Sequence, residues 1–461
     1  MSEQILQDMA GIAGLFHVPE AAGDCALLLH GLQHRGQDGV GIAVTDGSSL
    51  TCFKRRGLLS ELLKEEPVQE TPGTAAIGQV RLRLEEDRMD ENLQPVMVRA
   101  YQGHFAIVST GMIENAGELR DEMEQQGLIF QGLSDAELIA HLIQREQGHL
   151  FEKITRACAQ MRGSWTFLLM TKSTMYAMRS QEGARSLFVA DVPDTAGGKA
   201  FATESGALSI LGAQNIRELQ PGELMRFGKG ESRCWQMPAV REAIGPCAME
   251  FVYFSRLDSG MSQLGVLTAR KAFGRALAIS ETETADMVIG VPDTAIDAAA
   301  AFARELQIPY ETGLIKNRYI GSTFIRPTRM QREQGMRVRL NAISSVVAGK
   351  DVFLVDDSIV RGSTAARICQ LLREAGARKI HFRVASPVIC EACTKGAESS
   401  RRQDLAGAKW TEEELREKIR ADSVRFLNRE EFSRALGIRA CQACFRHDEL
   451  MRKEEENGRT V

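Results

Sequence analysis

The segment that most constrains the fold of this chain runs from Val352 to Leu372 and reads VFLVDDSIVRGSTAARICQLL. Its apolar start predicts a buried strand, two acids follow at the end of that strand, and an Arg-Gly-Ser-Thr turn opens a helix. Because such a turn offers unpaired backbone N–H groups and the positive end of a helix dipole, it can hold a phosphate group. The acid pair beside it suits sugar hydroxyls and a Mg²⁺ ion. The candidate ligands are Asp356, Asp357, Ser358, Arg361, Gly362, Ser363 and Thr364.

Strand and helix patterns alternate on both sides of this segment. DMVIGVP from Asp286 and KIHFRVASP from Lys379 read as buried strands, and TAIDAAAAFARELQ from Thr294 reads as a helix. This alternation is typical of a mostly parallel α/β sheet, in which ligands bind beyond the carboxyl ends of the strands. Residues 11–227 instead combine short apolar runs, turns and a few helical stretches, among them AELIAHLIQRE from Ala136, which predicts an α+β domain. We predict one domain over residues 1–239 and a second over residues 240–461, which ends in a helical appendage.

Basic residues are concentrated between Lys316 and Arg339, where seven Lys or Arg residues stand against one Glu. The segment carries a charge of +6 in a chain whose net charge is −4. A solvated basic face and a nucleic-acid site are the general explanations of such a run. The negative total excludes a chain-wide attraction to nucleic acid or membrane. With no N-terminal targeting pattern and no apolar stretch of 18 residues, the sequence predicts a cytoplasmic protein.

Together these segments resemble the glutamine phosphoribosylpyrophosphate (PRPP) amidotransferase family, and residues 352–372 resemble the PRPP motif of type I phosphoribosyltransferases. The resemblance implies an α+β N-terminal-nucleophile hydrolase-like domain followed by an α/β type I phosphoribosyltransferase domain. It also implies that Thr294 assists the Mg²⁺ ion at the acid pair. The basic run is similar to the family's lid loop, which closes over PRPP and neutralises departing pyrophosphate, although Arg339 stands where the family usually has Lys. The lid residues implied are Lys316, Arg318, Tyr319 and Arg337.

The N-terminal half resembles the family's glutaminase domain but lacks its nucleophile. MAGIAGLF from Met9 matches the start of that domain, and GLQHRGQDGVGI from Gly31 matches a characteristic segment. In an active member a Cys stands at the position of Ala10, and its own α-amino group serves as the base for its thiolate. Alanine cannot act as this nucleophile. The framework residues that remain in the second segment include Arg35, Gln37 and Gly39.

Two further runs of the glutaminase pocket have changed. The family's His-Val-Arg-Tyr run begins at Gln79 here and keeps only its Val and Arg81, while its His-Asn-Gly-Asn run begins at Ser109 and keeps only Gly111. Thr110 replaces the Asn that donates to the oxyanion. These changes favour a natural pseudo-glutaminase over an engineered variant. Asp135 matches the amino-acid-binding Asp of the family, so the retained residues can either bind an amino acid without hydrolysing it or form structural salt bridges.

Four of the ten cysteines fall where some family members place the ligands of a [4Fe–4S] cluster, with zinc as the alternative because it also accepts four thiolates. They are Cys247, Cys393, Cys441 and Cys444. Cys390, three residues before Cys393, is a competing candidate for the same ligand position. The remaining five carry no motif and are expected to be buried: Cys25, Cys52, Cys158, Cys234 and Cys369.

The family resemblance implies a PRPP-dependent enzyme that forms 5-phosphoribosylamine and pyrophosphate, the first step of de novo purine synthesis. Since the glutaminase site is incomplete, the expected nitrogen source is ammonia, either from solution or from a separate glutaminase. A homo-oligomer is expected, without nucleic-acid or membrane partners. Two alternatives stay open: phosphoribosyl transfer to another amine or a nucleobase, and a non-catalytic PRPP or nucleotide sensor that pairs with an active homologue.

Overall fold

The computed structural model describes residues 10–82, 89–100, 103–228, 231–238, 242–317, 340–396 and 401–445. The chain divides into two compact units. The first contains Met1–Cys247, Asp258–Gln263 and Cys393–Ser399, and the second contains Ala248–Leu257, Leu264–Ala392 and Ser400–Val461. The sequence did not predict that two short segments from the C-terminal half belong to the first unit. The predicted boundary at residues 239 and 240 lies outside the described residues and stays a prediction.

The first unit contains two antiparallel sheets. Across the first sheet the strands follow the order Gln214–Glu218, Phe188–Asp191, Lys199–Ala202, Gly11–Phe16, Ala75–Arg81, Gly39–Thr45 and Leu50–Arg56. Across the second sheet they follow the order Glu231–Gln236, Glu223–Gly228, Met175–Arg179, Gly163–Thr171, Gly103–Ile113 and Val96–Ala100. Gly11–Phe16 is buried along its whole length, because it lies inside the first sheet between two neighbouring strands.

A single apolar core joins the facing sides of these sheets. Ile12 and Ile77 of the first sheet pack with Val108 and Leu168 of the second. Helices cover the outer faces, so the unit has the layer order helix, sheet, sheet, helix. The helix that the sequence predicted from Ala136 spans Asp135–Arg145 and begins where Ser134 Oγ accepts a hydrogen bond from the N–H of Ala136. The helices of this unit are Ala21–Gly31, Leu59–Glu65, Met89–Asn92, Ala116–Gln125, Asp135–Arg145, Leu150–Gln160 and Ser205–Leu208.

The second unit is built on a parallel sheet of four strands. Their order is Met287–Gly290, Asp351–Asp356, Lys379–Val384 and Ser423–Phe426. The first three strands are almost wholly buried, as expected for a parallel sheet with both faces covered, although Lys379–Val384 includes the buried polar residues His381 and Arg383. The α-helices are Val266–Ile279, Ile296–Leu306, Ser344–Val347, Ser363–Glu374, Ala406–Lys409, Glu412–Ile419 and Arg429–Leu436. Leu314–Lys316 and Leu340–Ala342 form a separate small antiparallel sheet in this unit.

The C-terminal region differs from the predicted helical appendage. Ser423–Phe426 joins the main sheet as its edge strand, parallel to Lys379–Val384. The capping boxes at Thr411 and Asn428 start the helices on either side of it. The strand has only four residues and includes an Arg. Within a highly charged sequence, so short a run shows no clear alternation of apolar and polar residues, and the strand was therefore not predicted. Within the described residues, no helix combines the length and apolar character that crossing a bilayer requires.

Two of the cysteines expected to be buried are not. Cys25, Cys158 and Cys369 lie in the interior, whereas Cys52 is partly exposed and Cys234 is exposed. Cys234 belongs to Glu231–Gln236, an edge strand whose residues mostly face solvent. Cysteine is usually buried, but the position of this strand at the edge of the sheet exposes the thiol of Cys234 to solvent.

Candidate functional site

The phosphate-binding turn predicted from the sequence lies at the carboxyl end of a central strand of the second unit. The strand ends at Asp356, and the helix Ser363–Glu374 begins seven residues later. Gly362 stands immediately before that helix with a φ of +81°, a backbone conformation that glycine adopts far more easily than other residues. The side chains of Arg361, Ser363 and Thr364 around it are exposed. The turn is therefore accessible to an anion at a helix N-terminus.

The acid pair beside the turn is buried and held by hydroxyl donors. Asp356 is 6% exposed and Asp357 is 7% exposed. Thr294 Oγ1 donates a hydrogen bond to Asp357 Oδ2, and Ser358 Oγ donates to Asp357 Oδ1 at 2.7 Å. The N–H of Asp357 donates to Asp356 Oδ1 at 2.9 Å. The structure thus brings Thr294, which is distant in sequence, against the two carboxylates.

The environment of the pair disfavours two negative charges. Burial raises the pKa of Asp356 well above its ordinary value, and the charge of Asp357 raises it further. Burial also raises the pKa of Asp357, against the hydrogen bonds from Thr294 and Ser358 and the positive charge of Arg270, which lower it. Arg270 was not predicted from the sequence, and its guanidinium donates to the carbonyl oxygens of residues 251, 253 and 255. A bound cation would relieve the repulsion between the carboxylates.

Two carboxylates suit Mg²⁺, which commonly binds one or two protein carboxylates and takes its other ligands from water and substrate phosphates. Within the described parts of the chain, no group of three or more His, Cys, Asp or Glu side chains is arranged to hold a metal ion. The Asp356 and Asp357 pair supplies carboxylate oxygens of the kind that Mg²⁺ prefers.

The pair makes the stability of the protein depend on pH. Since both pKa values are raised by folding, the stabilisation is complete below the ordinary pKa of Asp and is lost as the pH rises through the raised values. Asp356→Asn removes one charge and keeps an oxygen that can accept from the N–H of Asp357. At pH 8 in EDTA we expect its Tm to exceed that of the unmodified protein by about 2–4 °C, corresponding to about 1 kcal/mol. At pH 5 this difference should shrink, as measured by thermal denaturation.

Asp351→Asn is the matched control for this prediction. Asp351 starts the same strand, and its ion pair with Arg378 lowers its pKa. A lowered pKa gives the opposite sign, because the stabilisation is present above the ordinary pKa of Asp and is lost at lower pH. The control should therefore not gain stability at pH 8. An equal response of the two variants to pH would contradict the environment assigned to Asp356.

Of the predicted lid residues, Lys316 lies within the described part of the chain. It ends the strand Leu314–Lys316, and its Nζ lies 2.7 Å from Asp293 Oδ2. Both side chains are about half exposed, so this ion pair contributes little stability and exchanges easily for a substrate contact. The other lid residues, Arg318, Tyr319 and Arg337, lie outside the described residues, as does Arg339.

The substituted residues of the first unit's predicted glutaminase site bond to the backbone around them. Ala10 is buried directly before the strand Gly11–Phe16, and its carbonyl oxygen accepts a hydrogen bond of 2.8 Å from Thr110 Oγ1. Gln79 Nε2 donates to the carbonyl oxygen of Ser109 at 2.7 Å. Gly111 has a φ of +108°, and a Cβ there would lie 2.2 Å from the carbonyl oxygen of Ser164. The backbone therefore requires a glycine at residue 111 whether or not an oxyanion ever binds.

The retained Arg81 and Asp135 are both buried and bonded to the backbone. Arg81 is 1% exposed, and its Nη1 donates to the carbonyl oxygen of Asn92 at 2.9 Å. Asp135 Oδ2 accepts a hydrogen bond of 2.9 Å from the N–H of Ile113. These hydrogen bonds tie both side chains to the neighbouring backbone, and the two predicted roles, amino-acid binding and structural salt bridging, stay predictions.

Arg35, from the characteristic GLQHRGQDGVGI segment, belongs to a buried charge network. Its Nε forms an ion pair with Glu204 Oε1, which also lies 2.6 Å from His34 Nε2. Ser259 Oγ donates to the other oxygen of Glu204 at 2.9 Å. The sequence did not predict Glu204, which is buried and lies far from Arg35 along the chain. In the same segment, Gly39 begins the strand Gly39–Thr45 opposite Arg81.

An ion-pair triad that was not predicted from the sequence lies against Gly111, in the strand Gly103–Ile113. Lys395 Nζ is 2.7 Å from Glu182 Oε2 and also contacts Glu114 Oε1. Burial disfavours the charged form of Lys395, but its hydrogen bonds to the two carboxylates outweigh burial and raise its pKa. A Cβ on the next residue, Gly396, would lie 2.7 Å from the carbonyl carbon of Gly111. The segment around Lys395 therefore packs directly on Gly111, and the ion pairs of Lys395 with Glu114 and Glu182 hold it there.

The candidate cluster ligands are linked by backbone contacts within the second unit. The N–H of Ala248 donates to the carbonyl oxygen of Cys441, and the N–H of Cys390 donates to that of Cys444, each at 3.0 Å. In the first unit, Cys393 Sγ accepts a hydrogen bond of 3.3 Å from the N–H of Lys395. These thiols do not form a preorganised group of three or more metal ligands among the described residues. The predicted cluster therefore stays a proposal.

Both halves of the chain match known families. The family described as "Glutamine amidotransferase domain" matches residues 80–209, and the family described as "Phosphoribosyl transferase domain" matches residues 268–402. Their order confirms the predicted fold class, an α+β N-terminal-nucleophile hydrolase-like domain followed by an α/β type I phosphoribosyltransferase domain.

Known proteins resemble the chain over nearly its whole length. The amidophosphoribosyltransferase of Bacillus subtilis strain 168 is 39% identical over 452 residues, which cover 95% of this chain and 94% of that protein. The amidophosphoribosyltransferase of Staphylococcus aureus strain MRSA252 is 38% identical over 436 residues, which cover 94% of this chain and 87% of that protein.

Two solved structures are similar to this one. Glutamine PRPP amidotransferase from B. subtilis, complexed with ADP and GMP, matches with a TM-score of 0.88 and 38% identity, covering 94% of this chain and 96% of that one. A structure described as the allosteric regulatory enzyme of purine biosynthesis matches with a TM-score of 0.89 and 38% identity, covering 94% and 95% of the two chains. The similarity thus includes both the fold and the sequence.

Proposed function

Since this chain belongs to the amidophosphoribosyltransferase family, we propose that it transfers the 5-phosphoribosyl group of PRPP to ammonia. The observation that carries this proposal is the buried pair Asp356 and Asp357, held by Thr294 beside an accessible turn at a helix N-terminus. The turn suits the 5-phosphate of a phosphorylated ribose, and the neighbouring carboxylate pair suits its hydroxyls and a Mg²⁺ ion.

In the proposed reaction, the turn from Arg361 to Thr364 binds the 5-phosphate through backbone N–H groups and exposed side chains. Asp356 and Asp357 would hold the ribose hydroxyls and a Mg²⁺ ion, and that ion would supply positive charge to the pyrophosphate leaving group. Neutral ammonia attacks the anomeric carbon as the bond to the pyrophosphate oxygen breaks, and the new ammonium group then loses a proton to water. Lys316 pairs with Asp293, the residue before Thr294, and would contribute a positive charge to the leaving group.

We propose ammonia rather than glutamine as the nitrogen source. Ala10 has no nucleophilic atom, and Thr110, in place of an amide donor, already bonds to the carbonyl oxygen of Ala10. Lys395 and Gly396 pack on Gly111, the retained part of the oxyanion site. These contacts support a domain that keeps the family fold without glutaminase chemistry.

Pyrophosphate release from PRPP tests the proposal directly. The purified protein would be assayed with Mg²⁺ and, in separate reactions, with ammonium, glutamine, a set of nucleobases, or no acceptor. We expect turnover with ammonium and none with glutamine. Turnover with glutamine would refute the loss of glutaminase, and turnover with a nucleobase alone would replace the proposed acceptor. PRPP binding without turnover in any reaction would favour the alternative function, a non-catalytic PRPP sensor.

We further propose that the chain carries a [4Fe–4S] cluster on Cys247, Cys393, Cys441 and Cys444, with a structural role and no step in the reaction. The backbone contacts that link residues 248 and 390 to the CQAC segment support this proposal. Iron, acid-labile sulfide and zinc would be measured in protein purified without oxygen. Four iron and four sulfide per chain are expected. Stoichiometric zinc without sulfide would identify the alternative metal.

A further inference from the structure

Residues 401–410 pack against the phosphate-binding turn of the second unit. The N–H of Ala406 donates a hydrogen bond of 2.7 Å to the carbonyl oxygen of Val360, the residue before Arg361. Leu405 and Ala406 are buried, as is Ile359 within the loop itself. A backbone hydrogen bond and apolar packing therefore fix the start of the turn to this segment.

Trp410 supports the middle of the turn. A Cβ on Gly362 would lie 3.4 Å from Trp410 Cζ3 and 3.5 Å from Leu415 Cδ1, so the indole ring lines this side of the turn at about one atom's distance from the glycine. The backbone N–H of Trp410 donates to the carbonyl oxygen of Ala406 at 3.0 Å, which fixes the backbone that carries the ring. Lys409 Nζ lies 5.8 Å from the ring centroid. Trp410 is partly buried and packs against the apolar core of the unit, which anchors the supporting side of the ring.

We propose that Trp410 is a positioning residue for the 5-phosphate of PRPP. This inference rests on the proposed function, since it concerns the same phosphate-binding turn. Gly362 has a positive φ and, as a glycine, has more conformational freedom than any other residue type. A rigid aromatic ring against it restricts the turn before the ligand arrives, which lowers the ordering cost of binding. Trp410 does this without touching the substrate.

A positioning role has a kinetic signature that a general stabilising role lacks. If the ring only preorganises the turn, its loss weakens PRPP binding but leaves the chemistry of the bound complex intact. Trp410→Ala should therefore raise the KM for PRPP about tenfold, equivalent to about 1.4 kcal/mol, while kcat changes less than about twofold. Trp410→Phe keeps a flat ring and should restore the KM to within about threefold of the unmodified protein.

Trp235→Ala is the matched control, because Trp235 is also partly buried but stacks on Phe151 in the first unit. It should leave the KM for PRPP unchanged. A second measurement uses tryptophan fluorescence during titration with PRPP and Mg²⁺, comparing the unmodified protein with Trp410→Phe. We expect a change of emission that the variant lacks, and this comparison also serves if Trp410→Ala fails to fold.

The outcomes separate this inference from the function it rests on. An unmodified protein that neither binds nor turns over PRPP would overturn the proposed function itself. If the unmodified protein is active but Trp410→Ala has the same KM for PRPP, the positioning role is wrong. An equal loss of kcat with unchanged KM would also overturn it, as would a PRPP-induced emission change of the same size in Trp410→Phe.

Discussion

Asp357→Asn is expected to lower kcat/KM for PRPP by about 10²–10³-fold. Asp357 receives hydrogen bonds from both Thr294 and Ser358, so the substituted amide would keep an oxygen for one of these hydroxyls but lose the negative charge. Mg²⁺ binds carboxylate oxygens far better than a neutral amide, and the proposed site has only two carboxylates. The measurement is pyrophosphate release with saturating ammonium, over a range of PRPP and Mg²⁺ concentrations.

Asp286→Asn provides the same chemical change at the opposite end of the sheet. Asp286 directly precedes the strand Met287–Gly290, and its side chain accepts a hydrogen bond from the N–H of Asp351. An amide oxygen can accept that bond as well, so this variant should keep nearly normal turnover. Near-normal turnover of Asp357→Asn would overturn the assignment of the acid pair, whereas equal losses in both variants would point to a general defect of the sheet.

The sequence predicted the phosphate-binding turn because all of its parts are contiguous. A buried strand, two acids, a turn and a helix start follow one another between Val352 and Leu372, and the structure has a strand to Asp356 and a helix from Ser363. Local patterns of this kind depend on backbone periodicity and helix capping, which nearby residues determine. The same holds for the helix Asp135–Arg145, which the sequence predicted almost to its ends.

Features that depend on distant partners were not predicted. Arg270 donates to three carbonyl oxygens in the segment 251–255 and lowers the pKa of Asp357, yet nothing near it in sequence marks this role. Lys395 stands 281 residues from Glu114 and 213 from Glu182. A long-range ion pair leaves no periodic signal in a single sequence. The short edge strand Ser423–Phe426 was not predicted for a related reason, because it pairs with a strand that is distant in sequence.

Lys395→Met is expected to lower the stability of the first unit by about 2–3 kcal/mol, a loss of about 4–10 °C in Tm. Lys395 is 15% exposed and Glu182 is 7% exposed, so removing the cation leaves a carboxylate in a poorly solvated position without its closest positive charge. Methionine keeps much of the aliphatic length and isolates the effect of charge. Thermal denaturation would measure the loss, and hydrogen exchange of residues 110–114 would show whether the strand beneath the triad opens more often.

Lys199→Met makes the same substitution at a more exposed ion pair of the same unit, with Asp191. Because solvent screens this pair, its loss should cost less than about 1 kcal/mol. Lys395→Arg should keep most of the stability, since it retains the positive charge. If Lys395→Met and Lys199→Met proved equally mild, the triad would be an ordinary surface contact. Faster exchange at residues 110–114 in Lys395→Met alone would instead show that the ion pairs of Lys395 hold the strand Gly103–Ile113 closed around Gly111.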